Sequence, residues 1–118
     1  MSLKLAILAT IGSLPFELVP VPEFGEGMKL RVTTMSVAER DQFDSAYRTI
    51  PEVERTEKFR SLLVIHTVKD GDNQPIFDEG NIADIRELSS VAVTRLVDVS
   101  MRLNNMIKKS GDEAEKKS

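Results

Sequence analysis

The chain contains no cysteine and no tryptophan, a single tyrosine (Tyr47) and a single histidine (His66). Without cysteine there is no disulfide framework, no thiolate metal site and no cysteine nucleophile. With one histidine, a metal centre built on several imidazoles is excluded as well. Aromatic residues make up only 5% of the chain, so the core has to be assembled from Leu, Ile, Val and Met, a set that favours helices. An excess of basic charge is also missing. Sixteen Lys and Arg face nineteen Asp and Glu, which leaves nothing to neutralise a phosphate backbone and argues against a nucleic-acid partner. No stretch reaches the ~20 apolar residues that span a bilayer, so no membrane partner is expected. Lys4 and the run Leu5 to Leu14 look like the start of a secretory leader, but Pro15 and Phe16 follow and no small-residue cleavage pattern appears. A short apolar helix is the expectation instead.

What is present is enough for one domain. A chain of 118 residues buries one modest core. The expected fold is mainly α: a small helical domain with a short N-terminal β-hairpin and a long C-terminal helix. Residues 1–107 form this domain. Residues 108–118 are charged and hold no apolar residue larger than Ala114, so they are expected to be a solvated, disordered tail.

The elements follow from local signals. Ser2 caps a first helix, Leu3 to about Ile11, which Gly12 stops. It is apolar nearly all round and is expected to be buried on more than one side. Pro15, Pro20 and Pro22 forbid a helix in the next stretch. Leu18 to Val21 and Met28 to Val32 read as a hairpin turning at Gly25 to Gly27, with Leu30 and Val32 alternating against Lys29, Arg31 and Thr33. Ser36-Val-Ala-Glu39 is a capping box opening a helix from Val37 to about Arg48. A further helix runs from about Glu52 to Val68, with Phe59, Leu62, Leu63, Ile65 and His66 on one arc. Lys69 to Glu79 is a loop of turn formers ending in the apolar pair Ile76-Phe77. A last helix, about Asn81 to Lys108 and ~40 Å long at 1.5 Å per residue, carries Ile82, Ile85, Leu88, Ala92, Leu96, Val99, Leu103 and Met106 on one stripe.

No catalytic or metal-binding constellation emerges. The loop Asp70-Gly71-Asp72-Asn73-Gln74 starts like a calcium loop, but Pro75 stands where the sharp turn needs Gly and Asn81 where a bidentate Glu is required. His66 has Asp70 one turn away, yet no oxyanion loop or nucleophile elbow accompanies it, so a hydrogen-bonded core or interface histidine is expected. Gly25 and Gly27 lack the helix that a phosphate-binding loop needs. No enzyme activity and no cofactor are expected.

The informative feature is apolar surface in excess of one core. On the last helix Val93, Val97 and Met101 form a second line, 100 to 180° away from the main stripe. It either packs inside the chain or faces a partner or a second copy. The expected protein-binding residues are Leu3, Ile7, Leu8 and Ile11 of the first helix, core or interface, and Val93, Val97 and Met101.

Taken together, SLKLAIL, VPVPEFGEGMKLRV, MSVAERDQF, RSLLVIHTVKDGDNQPIFDEGNI and a long helix closing on Leu103-Asn104-Asn105 resemble the tail assembly chaperones of long-tailed, siphovirus-type bacteriophages. The resemblance spans residues 2 to 107. It implies a protein of the host cytoplasm that binds the tape measure protein and keeps it soluble until tail tube subunits polymerise around it. It also implies a minority product, made by programmed ribosomal frameshifting, whose added domain contacts the tail tube protein; self-association is expected from the apolar excess itself. Lys116-Lys117 offers a place for such a slip. No catalytic residues carry over. The first helix departs from the pattern, since Leu5, Thr10 and Ile11 make it more apolar than the family suggests. The alternative is a structural, ring-forming tail or head completion protein, which would use the same apolar excess.

Overall fold

A computed structural model describes residues 2–106. The predicted tail, the Lys116-Lys117 site and the end of the predicted last helix lie outside the described residues. In chain order the elements are α1 (Leu3–Leu8), β1 (Phe16–Pro20), β2 (Lys29–Thr33), α2 (Val37–Thr49), α3 (Arg55–Thr67), β3 (Val68–Lys69), α4 (Ile82–Ile85) and α5 (Ser90–Leu103). Single 3₁₀ turns occupy Pro22–Phe24, Glu52–Glu54 and Glu79–Asn81.

The expected hairpin is part of a three-stranded antiparallel sheet in the order β1-β2-β3. Phe16 pairs with Thr33 and Pro20 with Lys29. Val68 and Lys69, expected at or beyond a helix end, instead leave α3 extended and pair with Val32 and Arg31. Period-2 alternation then sorts the sheet. Val19, Val32 and Val68 point inward and are buried, whereas Phe16 and Leu18 stand exposed on the opposite side. The inward face receives α5, which also packs along α3, and α2 covers the other flank of α3. Leu62, Leu63, Val64, Ile85, Ala92 and Leu96 fill the space between.

The capping box is present in full. Ser36 Oγ accepts from Glu39 N, and Glu39 Oε1 accepts from Ser36 N. The second oxygen of Glu39 takes the Lys69 ammonium, so the start of α2 is tied to β3. Phe43, Tyr47 and Phe59 stack and edge against one another with centroids 6.1–6.2 Å apart, joining α2 to α3.

The long last helix is shorter than its periodicity suggests. The chain turns at Arg86 to Leu88, and Ser89 restarts it by capping Ala92 N at 3.2 Å. A cap breaks the helix although the apolar stripe continues through it. At the far end Asn105 adopts φ 55°. Met106 N bonds Met101 O and Asn105 N bonds Arg102 O, the Schellman stop with asparagine in the left-handed position. The Asn104 side chain then reaches across, accepting from Met35 N at 2.7 Å and donating to Thr33 O at 3.2 Å.

Candidate functional site

The first helix is where the structure departs most from expectation. α1 is capped by Ser2 and ends sooner than predicted, the chain leaving through turns to Gly12 at φ 84°. It buries none of its residues. Leu3 is 81% exposed and Ile11 76%, and Leu5, Ile7 and Leu8 are exposed beside them. Burial on several sides was expected because the helix is apolar all round, and among the described residues nothing supplies it. A large aliphatic side chain left fully in water forgoes about 1.5–3 kcal/mol of transfer free energy. A six-residue helix gains little from its own hydrogen bonds either, since nucleation alone is unfavourable. Scattered exposed residues such as Val37 and Val53 are ordinary. Five large aliphatic residues within nine positions form a contiguous apolar surface that the described residues leave uncovered.

The second predicted line is placed differently. Val93 is 6% exposed and Val97 4%, both within the core cluster, and Met101 is half-buried against it. The expectation that they face a partner is corrected: α5 lies between the sheet and α3 and is covered on two sides, so both apolar lines are used inside the chain. The side thought to remain polar is also engaged. Arg95 holds Glu23 through two bonds of 2.8 Å, and Arg102 reaches Glu17 at 2.8 Å. The Arg95 guanidinium draws the Glu23 carboxyl down to about 2.

His66 sits edge-on to Phe43 with ring centroids 5.7 Å apart. Its Nε2 is closed off from solvent and has no hydrogen-bond partner among the described residues, with Glu79 Oε2 3.8 Å away. The hydrogen bond expected of this histidine is missing at Nε2. Burial lowers its pKa, against the opposing pull of the Glu79 and Glu39 charges. Asp70, the residue thought able to orient it, spends Oδ1 on the N–H groups of Asp72 and Gln74 in its own loop. Of the apolar pair in that loop, Phe77 packs on the core and Ile76 stays exposed.

Residues the sequence reading did not single out adjoin the exposed arm. The connector Gly12-Ser13-Leu14 borders a cleft over the outer sheet face, where Phe16, Arg31 and Lys69 meet. Strand alternation placed Arg31 on the side away from Leu30 and Val32, which is all the signal it carried.

No protein-family model matches the chain, and no curated protein matches it. Among solved structures the chain is similar to the tail assembly chaperone of bacteriophage HK97. The two share 26% sequence identity at a TM-score of 0.59, over 89% of this chain and 97% of that one. The resemblance to phage tail assembly chaperones read from the sequence is borne out by this likeness.

Proposed function

We propose that this chain is a tail assembly chaperone that binds the tape measure protein of its phage through α1 and keeps it soluble for tail tube assembly. The likeness to the HK97 protein supports the general role. The observation that carries the finer reading is the uncovered arm Leu3, Leu5, Ile7, Leu8 and Ile11, joined to a domain in which Val93, Leu96 and Val97 of α5 are covered by its own core. A tape measure chain waiting for its tube is a long amphipathic helix with an unburied stripe. An apolar arm on a compact, polar-coated domain covers such a stripe by the general helix-in-groove logic. The chain acts by binding, without catalysis, in the host cytoplasm. Self-association through the same arm while the partner is absent, and a frameshifted longer form that contacts the tail tube protein, belong to the same proposal.

Co-expression tests it. The tape measure protein of the same phage should gain soluble yield and co-purify with this chain. The contact is apolar, so ~1 M salt, which shrinks the Debye length to roughly 3 Å, should leave the complex largely intact. A tape measure protein that stays insoluble, or this chain found as a fixed ring in the finished particle, would overturn the chaperone reading in favour of a structural component.

A further inference from the structure

The cleft beside α1 encloses about 410 Å³, within the ~300–1,000 Å³ of ordinary ligand sites. Arg31 and Lys69 line it together with Leu14, Phe16, Thr33 and Glu39. The charges there do not balance. Lys69 is almost fully buried and already held by Glu39, which also caps α2. Arg31 meets no carboxylate among the described residues. Its guanidinium carbon stands 3.8 Å from the centre of the Phe16 ring, and its Nε is shut off from solvent with no acceptor. Arg95 and Arg102 show the contrast, each bound to a glutamate at 2.8 Å. With Nε closed off, the terminal Nη1/Nη2 edge of this half-buried guanidinium, held in place by the Phe16 ring, is what is left to meet a planar anion, and a carboxylate fits that pair of nitrogens.

We infer that this cleft binds a carboxylate side chain of a partner polypeptide, with Arg31 as counter-ion. The segment's neighbouring apolar side chains lie on Leu14, Phe16 and the α1 arm. A polypeptide is the occupant because the cationic cleft and the apolar arm are continuous through Gly12 to Leu14, so one ligand must offer acid and aliphatic surface together. The inference rests on the chaperone reading and adds that the bound segment carries Asp or Glu at the edge of its apolar stripe. The ion pair adds a salt-sensitive part to a contact that stays mainly apolar.

The test uses the full chain labelled with ¹⁵N and two blocked, leucine-rich amphipathic helical peptides that differ only by one Glu→Gln exchange. The Glu peptide should shift the Arg31 side-chain Nε–H resonance and bind at least about tenfold more tightly than the Gln peptide. Arg31→Gln should erase that difference, and Arg31→Lys, which keeps the charge but loses the fork, should restore only part of it. The peptide comparison on the unaltered protein stands even where a variant folds poorly. Equal binding of the two peptides, or binding of neither, overturns the inference. So does an Arg31 resonance that moves on deletion of residues 109–118 with no peptide present, because the chain's own tail would then be the occupant. The two readings fail separately. A tape measure protein that co-purifies equally with the Arg31→Gln chain sinks the cleft and spares the chaperone. The expected peptide behaviour without any tape measure binding does the reverse.

Discussion

The hydroxyls of Thr67 and Ser100 lie 2.7 Å apart with neither residue exposed at all, one at the end of α3 and the other inside α5. Each also reaches back 2.8 Å to the carbonyl one turn earlier, Leu63 O and Leu96 O. Three contacts share two hydroxyl protons, so at most two are hydrogen bonds at any moment. The pair is a polar clasp within an aliphatic core, in which each hydroxyl has two candidate partners, its own helix carbonyl and the other hydroxyl.

Removing both hydroxyls should therefore cost less than the sum of removing each. Ser100→Ala takes one of two partners from the buried Thr67 hydroxyl, which keeps Leu63 O, and should destabilise by about 0.5–1.5 kcal/mol. Thr67→Val should act similarly, and the double variant should fall well short of the sum. Urea denaturation of the four proteins gives the coupling directly. Strictly additive losses would mean that the back-bonds alone satisfy both hydroxyls.

Leu96 sits mid-way along α5 and is 1% exposed. Leu96→Ala should lower stability by about 2–5 kcal/mol, a large part of what a domain of this size has. Val97→Asp buries an unpaired carboxylate in the same core and should unfold the chain, read as loss of the cooperative thermal transition. A folded Val97→Asp protein would show that α5 is not covered on that side.

The arm should behave in the opposite way. Ile7→Asp places its charge on an exposed helix that contributes no buried residue, so folding stability should change by no more than about 0.5 kcal/mol. Co-purification with the tape measure protein and any self-association should both fall. Loss of the thermal transition in this variant would mean that α1 supports the fold.

Stability should decline in two separate steps as the solution is acidified. His66 has a folded pKa held below its usual 6.5 by burial, so the unfolded chain takes up the proton first. Its effect is absent above pH 6.5, and stability is lost as pH falls from there toward the folded value. Glu23, drawn to about 2 by Arg95, stabilises fully above 4.5 and loses that contribution as pH falls toward 2. At Glu39, burial pushes the pKa up, but Lys69 and the Ser36 N–H outweigh it and hold it below 4.5, so it acts in the same direction. His66→Gln should remove the upper step alone, measured by urea denaturation across pH. An unchanged profile would show that the imidazole charges freely in the fold.

Asn104 gathers strand end, linker and helix end through its side chain. Asn104→Ala leaves Met35 N and Thr33 O without that partner and should cost about 1–3 kcal/mol. Asn104→Asp keeps the acceptor for Met35 N but loses the donor to Thr33 O, so it should recover part of the loss. Equal stability of all three chains would place water at those groups instead.

Much of this protein is local and so was legible in residue order. The Ser36–Glu39 box, the Ser2 cap, the prolines between Leu14 and Glu23 and the alternation around Val32 each act within a few residues, and each element stands where its signal lies. Two local signals were outweighed: Ser89 and Asn105 end and restart helices through caps that a continuous apolar stripe concealed. What only the tertiary structure decided is which apolar face is covered. Periodicity gives α1 and the Val93–Val97 line the same status, as aliphatic surface in need of burial. The outcome is opposite: Val93 and Val97 are enclosed between the sheet and α3, while Leu3 to Ile11 stay in water. Likewise nothing in Val68-Lys69 announces a strand; they are one because Arg31 and Val32 lie alongside to pair with them. Hydrophobicity is a property of a residue, but burial depends on neighbours brought from elsewhere in the chain, and the order of residues alone does not specify where those neighbours come to lie.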